Sequence, residues 1–231
     1  MLENLKKEVC EANLELVRRG IVIYTWGNVS GIDRKNNLVV IKPSGIDYAN
    51  MTAKDMVVVD LISGEKIDGK WKPSSDTPTH LELYRAFKEI GGITHTHSVN
   101  AVAFAQAGTP IRVLGTTHAD YFYGDIPCTR ELRKDEVLVD YELNTGKVIV
   151  ETIKSRQYES LSVPCINVCN HGPFAWGKNA SESVHNAVVM EYIAEIQIKT
   201  LLINSNSAMQ DYILDKHYMR KHGKNAYYGQ K

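Results

Sequence analysis

Residues 77–106 read TPTHLELYRAFKEIGGITHTHSVNAVAFAQ, and three kinds of pattern follow one another within them. Pro78, placed where a helix's first turn needs no N–H, opens a segment that carries Leu81, Tyr84 and Phe87 inward until Gly91-Gly92 stops it. Ile93 to His97 then predicts a strand, and Val99 to Gln106 a helix of small residues. Helix, strand and helix in such close succession point to an α/β architecture.

Working outward from this stretch, Leu2, Leu5, Val9, Ala12 and Leu16 form one stripe of an amphipathic helix that Arg18-Arg19-Gly20 closes. Strands are predicted at Ile21 to Trp26, Leu38 to Ile41 and Met56 to Val59, separated by Gly, Asn, Asp and Lys turn signals. Downstream, Gly115 to Arg130 reads as loop-rich, and Lys147 to Thr152 and Cys165 to Cys169 read as strands. Asn179 with Glu182 resembles a capping box for a long helix carrying Val184, Val188, Tyr192, Ile196 and Thr200. A last helix is predicted from about Ala208 to His222, halted by Gly223. No linker, repeat or low-complexity stretch divides the chain. The expectation is a single three-layer domain over residues 1–231, with helices packed on a mixed sheet.

Composition excludes several classes. The 231 residues are 43% hydrophobic and 23% charged, enough to bury a sizeable core, so a disordered or fibrous chain is excluded. Lys and Arg (27) balance Asp and Glu (27), which removes the long-range field that a nucleic-acid or anionic-membrane binder would use. Four cysteines, at positions 10, 128, 165 and 169, form no disulfide framework and suit a reducing compartment. Glu3, Lys6, Lys7, Glu8, Glu11 and Glu15 interrupt any apolar leader near the N-terminus, and no later run approaches a membrane span. A cytoplasmic protein is expected, without nucleic-acid or membrane partners.

The chemistry concentrates in the histidines. In a strand, His95 and His97 point to one face about 6.6 Å apart along the backbone, and both imidazoles can then reach one metal ion at about 2.0 to 2.1 Å. A pair of half-buried strand histidines is the alternative. His171 stands out among the other candidates, which are His80, His118, His185, His217 and His222 with Asp76 as a nearby carboxylate. It follows the strand Cys165 to Asn170, and Gly172-Pro173 after it reads as a sharp turn exposing the side chain. Cys165 and Cys169 share its parity, either as thiolate ligands or as small buried residues. A second signal is the near repeat of Lys42-Pro43-Ser44-Gly45 and Lys72-Pro73-Ser74-Ser75. Each reads as a turn whose N–H groups and hydroxyls can cradle a phosphate, and the second runs into a helix N-terminus that favours an anion.

These runs, together with Thr25-Trp26-Gly27-Asn28-Val29-Ser30, Ser74-Ser75-Asp76-Thr77-Pro78-Thr79-His80, Gly115-Thr116-Thr117-His118-Ala119-Asp120-Tyr121-Phe122-Tyr123-Gly124, His171-Gly172-Pro173-Phe174-Ala175-Trp176-Gly177 and Ala226-Tyr227-Tyr228-Gly229-Gln230, resemble the class II aldolase and adducin superfamily. Within it they are most similar to its pentulose-phosphate epimerases. The resemblance implies a three-layer α/β/α domain around a mixed, mostly antiparallel sheet, a bound zinc ion and a ring-shaped homotetramer; three imidazoles and a carboxylate also accept cobalt or manganese. It implies Asp76, His95, His97 and His171 as metal ligands. Gly27, Asn28, Ser44, Gly45, Ser74 and Ser75 would surround a sugar phosphate, with Lys42 and Thr116 nearby.

By the same resemblance Asp120 and Tyr228 are acid-base groups with His217 in support. The tail 216–231 would complete a neighbouring subunit's site. The reaction implied is zinc-dependent interconversion of L-ribulose 5-phosphate and D-xylulose 5-phosphate through C3–C4 cleavage and re-addition. Related aldolases resemble one another in carrying glutamate where this chain has the shorter Asp76. The rival readings are a class II sugar-phosphate aldolase that releases its aldehyde and a non-catalytic, adducin-like interaction module.

Overall fold

The computed structural model describes residues 2–228. Helix α1 (Glu3–Arg18) buries Val9, Ala12 and Leu16, as its stripe predicts, and also Asn13. The Asn13 side chain explains where the first strand starts. Its amide donates to the Val29 carbonyl at 3.1 Å and accepts from the Val29 N–H at 2.9 Å, so β1 (Asn28–Asp33) opens at this anchor. The strand predicted at Ile21 to Trp26 does not form. Tyr24 adopts a positive φ of 51°, and Ile23, Tyr24 and Trp26 remain exposed, with no sheet face to receive them.

Next come β2 (Leu38–Ile41), β3 (Val57–Asp60) and β4 (Lys66–Asp68). Alternation assigns their residues to opposite sides. Val40 and Val58 join one core, whereas Val39, Ile41, Val57 and Val59 join the other. Helix α2 (Thr77–Ala86) starts with Pro78 in its first turn but ends before Gly91-Gly92. The Arg34 guanidinium collects the carbonyls of Tyr84, Phe87 and Ile90 at 2.8, 2.9 and 2.8 Å, which satisfies groups that further helix would have paired.

β5 (Gly92–His95) and α3 (Val99–Gln106) follow, then the short helices α4 (Thr116–Ala119) and α5 (Lys134–Leu138). The run 147–152, read as a strand, lies inside helix α6 (Tyr141–Ser155). Val148, Ile149 and Ile153 are buried there, and the packing of α6 against α2 outweighs the strand preference of β-branched residues. β6 (Cys165–Val168) matches expectation, but Gly172-Pro173 opens a further strand, β7 (Gly172–Gly177), rather than a turn. The reversal occurs one step earlier, at Cys169 to His171, with Asn170 at φ 60°.

Helix α7 (Ala180–Ile203) is capped by Asn179, whose side chain accepts from the Glu182 N–H. Its buried face differs from the predicted stripe. Met190, Ile193, Ala194 and Gln197 lie inside, while Tyr192 and Ile196 are exposed. Helix α8 (Asp211–His222) ends at Gly223 and begins slightly later than predicted.

Among the described residues seven strands form one sheet in the order β4-β3-β2-β1-β5-β7-β6, and every pairing between them is antiparallel. Among the described residues the parallel component of the expected mixed sheet is an isolated bridge between Cys128 and Asn167. Helices α1, α3 and α7 pack on one face and α2 and α6 on the other, giving the three-layer α/β arrangement.

The centre of the sheet requires a glycine. A Cβ on Gly92 would lie 2.3 Å from the Asn179 carbonyl carbon and oxygen and 2.4 Å from the Ala180 nitrogen, all backbone atoms that cannot swing aside. Gly92→Ala is therefore expected to destabilise the protein by about 2 kcal/mol or more, read as a lower urea midpoint. Gly115→Ala, in extended backbone with open space around it, is the control and should change stability by less than about 0.5 kcal/mol. Equal midpoints for both variants would refute this packing.

Candidate active site

The sheet's central strands bring three imidazoles together. One ligand atom from each of His95, His97 and His171 falls within 4.8 Å of the other two. His95 ends β5, and His97, two residues on, still brings its ring to the same side as His95. The β6–β7 reversal delivers His171. The Nδ1 of His95 lies 2.9 Å from the Pro173 carbonyl, and a carbonyl only accepts, so Nδ1 carries the proton. In neutral His95 this leaves Nε2 as a lone pair facing His97 Nε2 at 3.1 Å. Phe174 stacks on the His95 ring at 4.2 Å between centroids and holds its plane.

The His95–His97 separation fits a shared divalent ion, and His171 stands within 4.8 Å of both. Two nitrogens bound at about 2.1 Å, at angles between about 90° and 109°, are separated by about 3.0 to 3.4 Å. Burial lowers the proton affinity of His171 and His97, and the adjoining imidazoles lower it further, which favours the neutral form that binds metal. The Tyr141 hydroxyl stands 3.2 Å from His171 Nδ1 and orients that ring.

Asp76 lies outside the trio that meets at one point. Its Oδ2 accepts from Asn28 Nδ2 at 2.6 Å. Burial pushes its carboxyl up, but the neighbouring His95 and His80 and the Asn28 amide outweigh this and hold it below the usual range. His80 is fully buried on α2 with Nδ1 against Ser30 Oγ at 2.7 Å, a packed core position.

The imidazoles and Asp76 line a cavity of about 430 Å³ whose other side is formed by the two Lys-Pro-Ser segments. These near-copies pair with one another. Pro43 bridges Pro73, the Ser44 N–H donates to the Lys72 carbonyl, and the Ser74 N–H donates to the Lys42 carbonyl, both at 3.0 Å. Gly27, Asn28, Ser44, Gly45, Ser74 and Ser75 all line this cavity. Gly45 has φ +67° with open space around it, so the turn needs glycine for its backbone conformation. Lys42 also borders the cavity, yet it is only 2% exposed, and burial lowers its pKa to about 8.

Thr116, Asp120, His217 and Tyr228 are not among the residues lining this cavity. Three of them form a second cluster where α4 meets α8. Asp120 Oδ1 accepts from Arg220 and lies 2.9 Å from His217 Nδ1, while Oδ2 accepts from Arg220 at 2.8 Å and Lys221 approaches to 3.5 Å. Burial opposes ionisation of Asp120, but the Arg220 and His217 hydrogen bonds reverse that and depress its pKa. The Tyr228 ring lies under Arg220 and Lys221 at 4.8 and 4.6 Å. Gly229, Gln230 and Lys231, part of the tail expected to complete a neighbouring site, lie outside the described residues.

Sequence reasoning missed four cavity residues: Thr25, Trp26, Tyr141 and Glu142. Tyr141 and Glu142 open α6, a helix whose β-branched centre masked it. Thr25 and Trp26 stood inside the strand that does not form. Cys165 is fully buried and separated by strand β6 from the turn that carries His171, which fits the small-residue alternative. Among the described residues no helix is long and apolar enough to cross a membrane.

Comparison with known proteins agrees with this fold. The family described as Class II Aldolase and Adducin N-terminal domain matches residues 7–198. An L-fuculose 1-phosphate aldolase structure is similar at 24% identity and a TM-score of 0.76, covering 94% of this chain and 95% of its own. YgbL from Klebsiella pneumoniae, whose description leaves aldolase, epimerase and decarboxylase open, is 24% identical at a TM-score of 0.72, covering 94% of this chain and 99% of its own. The L-fuculose-1-phosphate aldolase of Thermus thermophilus is 21% identical at a TM-score of 0.69, covering 90% of this chain and 100% of its own. At these identities the likeness is one of fold.

Two outcomes are expected from the site. His97→Asn should lower affinity for Zn²⁺ by at least about a hundredfold, measured by chelator competition, without lowering thermal stability of the metal-free protein. Unchanged affinity would remove His97 from the ligand set. Lys42 contributes positive charge below its lowered pKa and loses it above, so affinity for sulfate, whose own charge does not change in this range, should fall as pH rises through about 8. A flat profile between about pH 7 and 9 would contradict a charged Lys42 at the cavity wall.

Proposed function

The chain belongs to the family of class II aldolase and adducin N-terminal domains, and from that premise we propose that it is a zinc-dependent epimerase interconverting L-ribulose 5-phosphate and D-xylulose 5-phosphate. The observation that carries this reading is the pairing, in one cavity, of three converging imidazoles with two facing serine-bearing turns. One end of the cavity suits polarisable oxygens and the other a phosphate. A volume of about 430 Å³ is adequate for a five-carbon sugar phosphate. Aspartate at position 76, in place of the glutamate of related aldolases, supports epimerisation over aldehyde release.

The C4 hydrogen of the substrate is not adjacent to the C2 ketone and is not acidic, so direct deprotonation cannot invert C4. Cleavage can. A base takes the proton of the C4 hydroxyl, the C3–C4 bond breaks, and its electron pair passes to the C2–C3 enediolate. The released carbonyl turns over while Ser44, Ser75 and the adjoining N–H groups keep the phosphate in place, and re-addition gives the opposite configuration. A divalent ion held by His95, His97 and His171, with Asp76 beside it, would supply Lewis acidity toward the C2 and C3 oxygens.

Inversion requires a proton-transfer group on each face of the aldehyde. Asp120 and Tyr228, with His217 against Asp120, are the proposed pair, and Thr116 stands in the same α4 segment. Arg220 holds Asp120 ionised, the state that accepts a proton. Because this cluster is not part of the wall of its own chain's cavity, the reading places it in the cavity of a second copy within a homotetramer. Four free thiols suit a cytoplasmic setting.

The aldolase alternative is favoured by the structures named L-fuculose 1-phosphate aldolase. The direct test is incubation with L-ribulose 5-phosphate, with an aldehyde trap and with or without chelator. Chelator-sensitive formation of D-xylulose 5-phosphate without trapped glycolaldehyde phosphate is expected. Trapped aldehyde forming as fast as epimer would favour the aldolase, and inactivity of protein that holds no metal would favour the interaction module. Asp120→Asn is expected to lose at least about a hundredfold in turnover while keeping its metal. Mixing it under subunit exchange with inactive His97→Asn should show whether sites are shared. If the Asp120 cluster of one chain serves the cavity of another, hybrids pair an intact cavity with an intact cluster and activity returns; confirmed exchange with no recovery would contradict this.

A further inference from the structure

Lys42 is the residue that a phosphate would be expected to recruit, yet its ammonium is already committed. The side chain leaves the end of β2 and turns inward, where Nζ donates to the carbonyls of Thr25 (3.4 Å), Pro43 (3.4 Å) and Ile46 (3.1 Å). An ammonium has three protons and here meets three carbonyl acceptors, so none is left for a phosphate oxygen. Nζ also lies 4.7 Å from the centroid of the Tyr48 ring, a cation–π contact with a residue only 4% exposed. The Tyr48 hydroxyl in turn shares its one proton between the carbonyls of Trp26 and Gly27, each at 2.9 Å. Burial raises the Tyr48 pKa, so the hydroxyl stays a donor.

The two side chains thus gather five backbone carbonyls from two loops, residues 25–27 and residues 43–46, which flank the cavity. Peptide planarity makes this consequential. The Trp26 carbonyl, turned toward Tyr48, sends the Gly27 N–H of the same trans peptide the opposite way. We propose that Lys42 and Tyr48 are a pair of positioning residues that hold the anion cradle in shape from behind, without touching the bound phosphate. The proposal rests on the sugar-phosphate reading above, and it assigns a role to Tyr48, which never meets the substrate.

The test compares Lys42→Met, Tyr48→Phe and the double variant with the native protein by calorimetric titration with inorganic phosphate, by turnover, and by amide hydrogen exchange. If the pair acts through the loops, each single variant weakens phosphate binding by about tenfold, and the double variant is little worse than the singles because both remove one support. KM should rise more than kcat falls, and exchange should quicken at 25–27 and 43–46 in both singles. Loss of phosphate binding in Lys42→Met alone, with native binding and exchange in Tyr48→Phe, would overturn the proposal and return Lys42 to direct contact with the anion. Native behaviour of both singles would overturn it equally. A native protein that binds no phosphate would bring down the sugar-phosphate reading itself.

Discussion

The carbonyl of Pro173 accepting from Nδ1 of His95 is a single hydrogen bond, but the site depends on what makes it possible. β5 lies between β1 and β7, pairing Asn28 with His95 on one side and His95 with Phe174 on the other. That register places the His95 ring on Phe174, turns its free nitrogen toward His97, and brings the β6–β7 reversal, with His171, to the same point. Close approach of α7 over Gly92 fixes the other end of the strand. A shift of one residue would send His95 and His97 to the opposite face and dissolve the cluster. Of the three imidazoles His95 is buried, with its lone pair facing His97 at 3.1 Å, and a divalent ion is a partner that spacing suits.

The two halves of the chemistry differ in how they are built. The imidazole trio and the paired Lys-Pro-Ser turns are held by strand register, by backbone hydrogen bonds between the two turns and by the start of α2. Asp120, His217 and Tyr228 sit where α8 meets α4, held by salt bridges and cation–π contacts of Arg220 and Lys221. Charge pairs of this kind respond to salt and pH more than strand register does. On the reading proposed above, a cradle and metal site beside the sheet with proton-transfer groups at a charge-paired helix contact would suit a reaction whose intermediate turns over inside the cavity.

Much of this was legible in the sequence where one residue carried one local signal. Pro78 in the first turn of α2, Asn179 capping α7 and the period of two through His95 and His97 are of that kind, and the structure bears each out. Readings failed where a distant partner decides. The Ile21 to Trp26 run lacks a sheet face because Asn13 starts the strand later. The run 147–152 becomes helix because α2 offers it an apolar surface. Arg34 ends α2 early from a position far upstream. The inward turn of Lys42 is of the same sort, since the carbonyls that receive it belong to two loops whose proximity no local pattern announces.

The central claim is that His95, His97 and His171 form the metal centre of this cavity. X-ray absorption at the zinc edge of the zinc-loaded native protein tests it most directly. The account predicts a first shell of nitrogen and oxygen at about 2.0 to 2.2 Å with the multiple-scattering signature of three imidazoles. A shell containing sulfur at about 2.3 Å, or one of oxygen without imidazole, would contradict it.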